Sequence, residues 1–341
     1  MAISILQQPT TPNVTGTNLI YSVSSSNVPQ YQYRYIADVY YSGSSDRLAR
    51  FKYPQNQFTT ANIDVARPLN DYLDYDYNWK ISSKDTLPNS VKTFDIEFGE
   101  EYGTSYSSSV TTFTNQASAT IEVFKGSVYR SETTNGFNWG SGSNYLLTNT
   151  PATQSFSVDN YLTATVYNTN ATVSYYLTGS LIATASYVST GEFSAIPISP
   201  LNISNYTESD AITLDVTSGS IRYELDTDCR NDKLRIAFIN RNGFWDYYTN
   251  HTALRRTTNI DRKIYEKEFA DLSQRITQYN PSYRGEEQYY TEYTDQFEFT
   301  TDLVTAEESN WLREMFESTE VFIQSGSNFI PINLLNTRES I

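Results

Sequence analysis

Almost every patterned segment of this chain repeats with a period of two. In residues 31–41, Tyr33, Tyr35, Ala37 and Val39 alternate with Gln32, Arg34 and Asp38. Successive side chains of a strand point to opposite faces, so such a run is a strand with one buried and one solvated face. Phe94, Ile96 and Phe98 alternate with Asp95 and Glu97, and Leu162, Ala164 and Val166 alternate with threonines. Ile212, Leu214 and Val216 repeat the pattern, as do Ile221, Tyr223 and Leu225. Short polar turns separate these runs at the spacing of β-sandwiches rather than of βαβ units. The expected fold is all-β, built from several β-sandwiches.

Local signals add detail. A type I′ hairpin turn needs positive φ at both central residues, which marks Asn242-Gly243 and Asn135-Gly136. The first pair joins the apolar run 234–239 to the aromatic run 244–248. That first strand is apolar on both faces at its centre, which predicts a deeply buried hairpin. Phe137 and Trp139 follow the second pair. One short C-terminal α-helix is predicted over 306–317. Thr305 and Glu308 form a capping box at its start, and Trp311, Leu312, Met315 and Phe316 lie on one stripe. Residues 321–324 and 329–334 then flank Ser325-Gly326-Ser327 as a hairpin, and the polar stretch 263–279 reads as helical or extended. A chain of 341 residues exceeds one compact core. The Ser/Thr-rich stretch 103–118 and the stretch 198–209, with Pro200, place expected domains at 1–115, 116–205 and 206–341. No repeat of solenoid period is visible.

Composition narrows the chemistry. One histidine and one cysteine stand against 29 tyrosines. Most catalytic and metal-binding devices need histidine or cysteine, whereas tyrosine joins an apolar ring to a polar tip and suits half-buried sheets and interfaces. The chain is expected to pack and assemble, not to catalyse, and no catalytic, cofactor-binding or metal-binding residue is assigned. Net charge is −15, with 10 basic and 18 acidic residues in 1–220 and 14 and 21 in 221–341. Neither half is basic, which disfavours nucleic acid and anionic membranes as partners. The N-terminus has neither a basic region nor an apolar core, so no secretory signal is expected, and no stretch approaches a membrane span. Cys229 alone forms no internal disulfide, in keeping with folding in a reducing cytoplasm. The sequons at Asn13, Asn170, Asn202, Asn205 and Asn250 follow from a composition rich in Asn, Ser and Thr.

Each candidate for chemistry has a structural counterpart. Asp71, Asp74 and Asp76 fall within six residues, as glycosidase acids could, but also read as an acidic loop or edge that discourages aggregation. Asp226, Asp228 and Asp232 could offer oxygens to Ca²⁺, yet lack the glycine and distal glutamate of an EF-hand loop. His251 has no second histidine, and Cys229 has acidic neighbours that raise a thiol pKa. No phosphate-binding loop, nucleophile elbow or zinc spacing is present.

Taken together, the chain resembles a structural component of a tailed-bacteriophage virion. Three stretches carry the likeness. The strand 31–41 with Tyr75-Asp-Tyr-Asn-Trp79 resembles the immunoglobulin-like or fibronectin-like modules of such proteins. Residues 234–248, with Ile239-Asn-Arg-Asn-Gly-Phe-Trp-Asp-Tyr-Tyr248, resemble a segment of phage structural proteins. Residues 297–334 resemble the end of tail and baseplate β-domains. The resemblance implies immunoglobulin-like sandwiches and brings no active-site residues with it. It implies a non-enzymatic protein of the tail or tail-adaptor region, made in the host cytoplasm and residing in the virion. Its expected partners are copies of itself, in a ring or sleeve, and other virion proteins. Tyr-rich exposed strands and the helix at 305–318 are expected to supply the contacts between copies. The alternative is a carbohydrate-binding or carbohydrate-cleaving adhesin that meets a host surface glycan, with Trp79, Trp139 and Trp245 as aromatic platforms beside acids.

Overall fold

A computed structural model of the chain describes residues 3–28, 30–127, 145–203, 209–227, 233–266, 270, 271, 275, 276, 278, 279, 285–301 and 304–335. The chain forms two compact units. The first comprises Met1–Thr227, Arg235–Thr249 and Val304–Ile341, and the second Asp228–Leu234 and Asn250–Leu303.

The first unit begins with a β-sandwich. In chain order it contains β1 (Ile3–Gln7), β2 (Asn13–Gly16), β3 (Ile20–Ser25), β4 (Tyr31–Tyr41), β5 (Arg47–Pro54), β6 (Thr60–Asp64), helix α1 (Ala66–Asn70), β7 (Asp85–Thr86), β8 (Val91–Gly103) and β9 (Thr111–Ser127). One sheet has the order β1-β3-β6 and the other β2-β9-β8-β4-β5. The chain switches sheets within its first 16 residues: β1 runs antiparallel to β3, whereas β2 runs parallel to β9. This is the connectivity of an immunoglobulin-type sandwich. The alternation read from the sequence sets the core, since Tyr33, Tyr35, Ala37 and Val39 pack with Phe94, Ile96 and Phe98 against Tyr21, Val23 and Ile63.

A second core follows within the same unit. Its strands are β10 (Tyr145–Leu146), β11 (Thr153–Phe156), β12 (Thr163–Leu177), β13 (Ser180–Pro197), β14 (Ala211–Val216), β15 (Gly219–Leu225), β16 (Leu234–Ile239) and β17 (Trp245–Asn250). The second unit then contributes β18 (Arg255–Glu266), β19 (Ala270–Asp271), β20 (Gln278–Tyr279) and β21 (Glu286–Glu298). Helix α2 (Ala306–Glu317), β22 (Val321–Ser325) and β23 (Asn328–Pro331) return to the first unit. A large sheet of order β11-β15-β14-β12-β13-β7, with β10 also on β12, faces a smaller one of order β17-β16-β22-β23. Ala237 and Ile239 of β16 join the core between the sheets. On the opposite face Phe238 lies 5.6 Å from the ring of Trp311 on α2. A strand covered on both faces must be apolar on both, which explains the unbroken apolar run at 236–239.

The predicted helix occupies 306–317, with both hydrogen bonds of the capping box formed. The C-terminal hairpin turns at Gly326 as expected. Four expectations differ. A second helix, α1, is only five residues long and too short for a periodic signal; Asp64 Oδ1 accepts from the amide of Ala66 at its start. The division at 115/116 falls inside β9, because the exposed start of that strand has the polar composition of a linker. The division at 205/206 falls between β13 and β14, which belong to one sheet. At the 240–244 turn only Gly243 has positive φ, and its amide donates to the carbonyl of Asn240 at 2.9 Å. That is a type I turn followed by a left-handed glycine, not type I′. Positive φ at two successive residues occurs instead at Thr178-Gly179, between β12 and β13. A β-branched residue is disfavoured there, so the sequence does not announce it. Asn135-Gly136 lies outside the described residues.

Candidate functional site

The acidic run at 71–76 is drawn apart by the fold. Asp71 ends α1 and Asp74 is exposed. Asp76 is buried, and its carboxylate accepts from the amides of Ser90 at 2.8 Å and Asn89 at 3.0 Å and from Asn89 Nδ2 at 2.7 Å. It fastens a loop to residues 89 and 90. The amide of Asp226 donates to the carbonyl of Phe156. Asp228, Cys229, Asp232 and Trp139 lie outside the described residues. His251 is half-buried in the second unit. Among the described residues no group of three His, Cys, Asp or Glu side chains is placed to hold a metal, and no helix is long and apolar enough to cross a membrane.

Trp79 and Trp245 do come together, but inside the core. Their rings lie 4.9 Å apart, nearly perpendicular, with Phe322 close to both. Trp245 Nε1 donates to the carbonyl of Asp76 at 2.7 Å. A sugar platform needs an open ring face, and both side chains are buried.

The acids that the fold does assemble are two that sequence reasoning passed over, Asp246 on β17 and Glu314 on α2. Alternation points Asp246 to the α2 side of the small sheet. Its carboxylate accepts from Trp311 Nε1 and Thr148 Oγ1, each at 2.8 Å, and from Asn240 Nδ2 at 3.0 Å. Burial, with the nearby Glu314 charge, pushes Asp246 up to about 7 against the pull of those hydrogen bonds. Burial also raises Glu314, which accepts from Asn149 Nδ2 at 2.7 Å and the amide of Arg241 at 3.1 Å. A charged residue inside the aromatic run 244–248 was the available signal.

Paired acids with raised pKa values are a pattern of acid–base sites, so the surrounding space decides their role. The cavity at Asp246, bordered by Thr163, Tyr223 and Tyr247, has about 10 Å³, room for one water and no substrate. Glu314 borders an open groove with Asn149, Arg241 and Asn310, but both its oxygens are already engaged. The pair therefore ties residues 148 and 149, the β16–β17 turn and α2 together. Arg235 is a buried ionisable group of the opposite charge. It donates through Nη1 to Thr249 Oγ1 at 2.6 Å and lies 5.1 Å over the ring of Tyr247. Its Nε and Nη2 have no hydrogen-bond partner, and burial lowers it to about 10.

The other prominent feature belongs to the second unit. β18 and β21 pair antiparallel from Arg255↔Glu298 to Glu266↔Glu286, with a register shift at Lys263/Ile264. Every residue of both strands is exposed. Ile260 and Tyr293 stand opposite one another at 51% and 72% exposure, and Ile264 is 55% exposed. By contrast α2, expected among the contact surfaces, has Trp311, Leu312 and Met315 buried within its own unit.

Fold and site together define an all-β protein of packed sandwiches, whose assembled acids serve as structural ties. No protein-family model and no curated protein matches the chain. Among solved structures it is similar to the crystal structure of CBD12 from CALX1.2. That match has 8% identity and a TM-score of 0.20, over 63% of this chain and 80% of that one. A likeness so slight carries no functional reading.

Proposed function

We propose that this chain is a non-enzymatic structural protein of a phage virion, of the tail or tail-adaptor region, which associates with copies of itself into a ring or sleeve. The observation that carries the reading is the ribbon of β18 and β21. It holds Ile260, Ile264, Tyr289, Tyr290 and Tyr293 exposed, while the aromatic residues of the first unit largely fill its cores. A two-stranded ribbon without a core of its own is marginal in water, and exposed apolar and aromatic side chains are material for interfaces. The hydrogen bonds that already engage the carboxylates of Asp246 and Glu314 support a structural role over a catalytic one. Two of the three tryptophans of the glycan-binding alternative, Trp79 and Trp245, are buried among the described residues and offer no open ring face, whereas Trp139 lies outside them.

Immunoelectron microscopy and quantitative mass spectrometry of purified particles test the proposal. The expected result is label at one axial position and several copies per particle. Absence of the chain from every particle overturns it.

A further inference from the structure

The charges of the ribbon are divided between its strands. β18 carries Arg255, Arg256, Arg262 and Lys263 against two acids, whereas β21 carries five acids and no base. Within the ribbon these charges already meet: Arg256 pairs with Asp295 at 2.6 Å and Arg255 with Glu298 at 3.6 Å. The two outer edges therefore differ in sign. Among the described residues the sheet has two strands only, so neither outer edge is paired with a third strand. At 3.3–3.4 Å per residue each edge runs for about 40 Å, with alternate residues turning their amide and carbonyl groups outward. Natural proteins shield such edges or use them to recruit a strand.

We infer that the ribbon is the element by which copies of this chain join, the β18 edge of one copy pairing antiparallel with the β21 edge of the next. The inference rests on the self-assembly reading above and assigns its contact. Charge selects the occupant and the orientation. A two-fold pairing would set β18 against β18, base against base, or β21 against β21, acid against acid. Pairing β18 with β21 sets opposite charges side by side. It is also heterologous, and a heterologous contact propagates into a ring when its rotation closes. The strand directions agree: in a row of ribbons turned the same way, each β18 lies antiparallel to the neighbouring β21, and one hydrogen-bonded sheet passes from copy to copy. The exposed face with Ile260 and Tyr293 then becomes a continuous apolar and aromatic band on that sheet.

The test is self-sorting of full-length chains. In a charge-exchanged chain Arg255, Arg256 and Arg262 are replaced by Glu, and Glu292, Asp295 and Glu298 by Lys. This reverses the sign of both edges and keeps opposite charges facing each other inside the ribbon. Circular dichroism and the thermal midpoint establish that it folds. The two chains are co-expressed, one mass-tagged, and oligomers are counted by native mass spectrometry at low salt. Each chain should assemble with itself, with mixed oligomers depleted at least about tenfold below random mixing, because like-charged edges would meet. The depletion should fade as salt is raised. Random mixing at low salt overturns the ribbon contact and leaves self-assembly standing. Enrichment of mixed oligomers overturns the heterologous orientation in favour of two-fold pairing. Failure of the wild-type chain to form any oligomer, alone or in particles, overturns the self-assembly reading itself. If the exchanged chain does not fold, Thr258→Cys and Gln296→Cys chains are mixed instead and oxidised. Intermolecular disulfides between the two strands support the contact, and their absence in a wild-type-like oligomer overturns it.

Discussion

Glu100 on β8 is fully buried, yet four donors converge on its carboxylate: Ser25 Oγ at 2.6 Å, Tyr33 Oη at 2.7 Å, Asn27 Nδ2 at 2.5 Å and Gln116 Nε2 at 3.1 Å. Burial alone would raise its pKa, but these bonds outweigh it and hold the carboxyl below its usual range. Because Ser25 ends β3, the cluster also ties the two sheets of the first sandwich. Glu100→Ala strands several buried donors and should cost about 3–5 kcal/mol by urea denaturation. A loss below about 1 kcal/mol would mean that water replaces the carboxylate. Arg235 is the opposite case, a buried cation with two unsatisfied nitrogens. Arg235→Met should leave stability unchanged or raise it by about 1 kcal/mol, since an apolar side chain of similar length has no charge to desolvate. A clear loss in the urea midpoint would show that the guanidinium has a partner in solution.

At the scale of elements, the β16–β17 hairpin is where the two cores of the first unit meet. Its turn lies against β9: the amide of Ser127 donates to the carbonyl of Arg241 at 2.7 Å, and Phe244 stacks 5.9 Å from Phe124. A Cβ on Gly243 would sit 1.3 Å from the carbonyl oxygen of Lys125, on a residue whose φ is +83°. Gly243→Ala should therefore cost about 3 kcal/mol or more, well beyond the left-handed penalty of about 1–2 kcal/mol. Gly326 also has positive φ but faces open space, so Gly326→Ala should cost only that smaller penalty. Equal losses in thermal melts would show that the turn relaxes away from β9. Phe238, with no exposure, lies between the small sheet and α2; Phe238→Ala should cost about 3–5 kcal/mol and lower the melting temperature far more than a surface control. A shift no larger than the control would place this face in solvent.

For the whole molecule, buried acids impose two opposing pH dependences. Glu100 is depressed in the folded state, so its contribution is full above its unfolded value of 4.5 and is lost as pH falls below it. Asp246 is raised from 3.8 to about 7, so the folded state binds its proton more tightly than the unfolded state. Its contribution is full below 3.8 and is lost as pH rises through the window from 3.8 to about 7. Glu314 acts in the same direction. Stability should pass through a maximum in the acidic range and decline toward neutrality. In Asp246→Asn the declining limb should flatten, although absolute stability falls because an amide cannot accept from all three donors. Urea titrations at a series of pH values check this; an unchanged limb would assign the slope to other groups.

Much of the fold was legible because strand periodicity is local. Tyr33, Tyr35, Phe94 and Phe98 announce their burial through two-residue alternation, and Thr305 and Glu308 announce a helix through a contact three residues long. The same locality explains what the sequence left open. Residues 103–118 look like a linker because the turn at 104–110 runs into the solvent-exposed start of β9, which has the same polar composition. Whether an acid is catalytic or structural depends on partners far along the chain: Asp246 meets Trp311 across 65 positions, and Asn149 meets Glu314 across 165. Trp79 and Trp245 read equally as sugar platforms or core until packing sets them edge to face. By itself, then, the sequence determined the class of structure, an acidic all-β chain rich in tyrosine. Which tyrosines fill cores and which stand exposed on a ribbon follows from the packing of the strands, because burial is a property of what a strand meets across space.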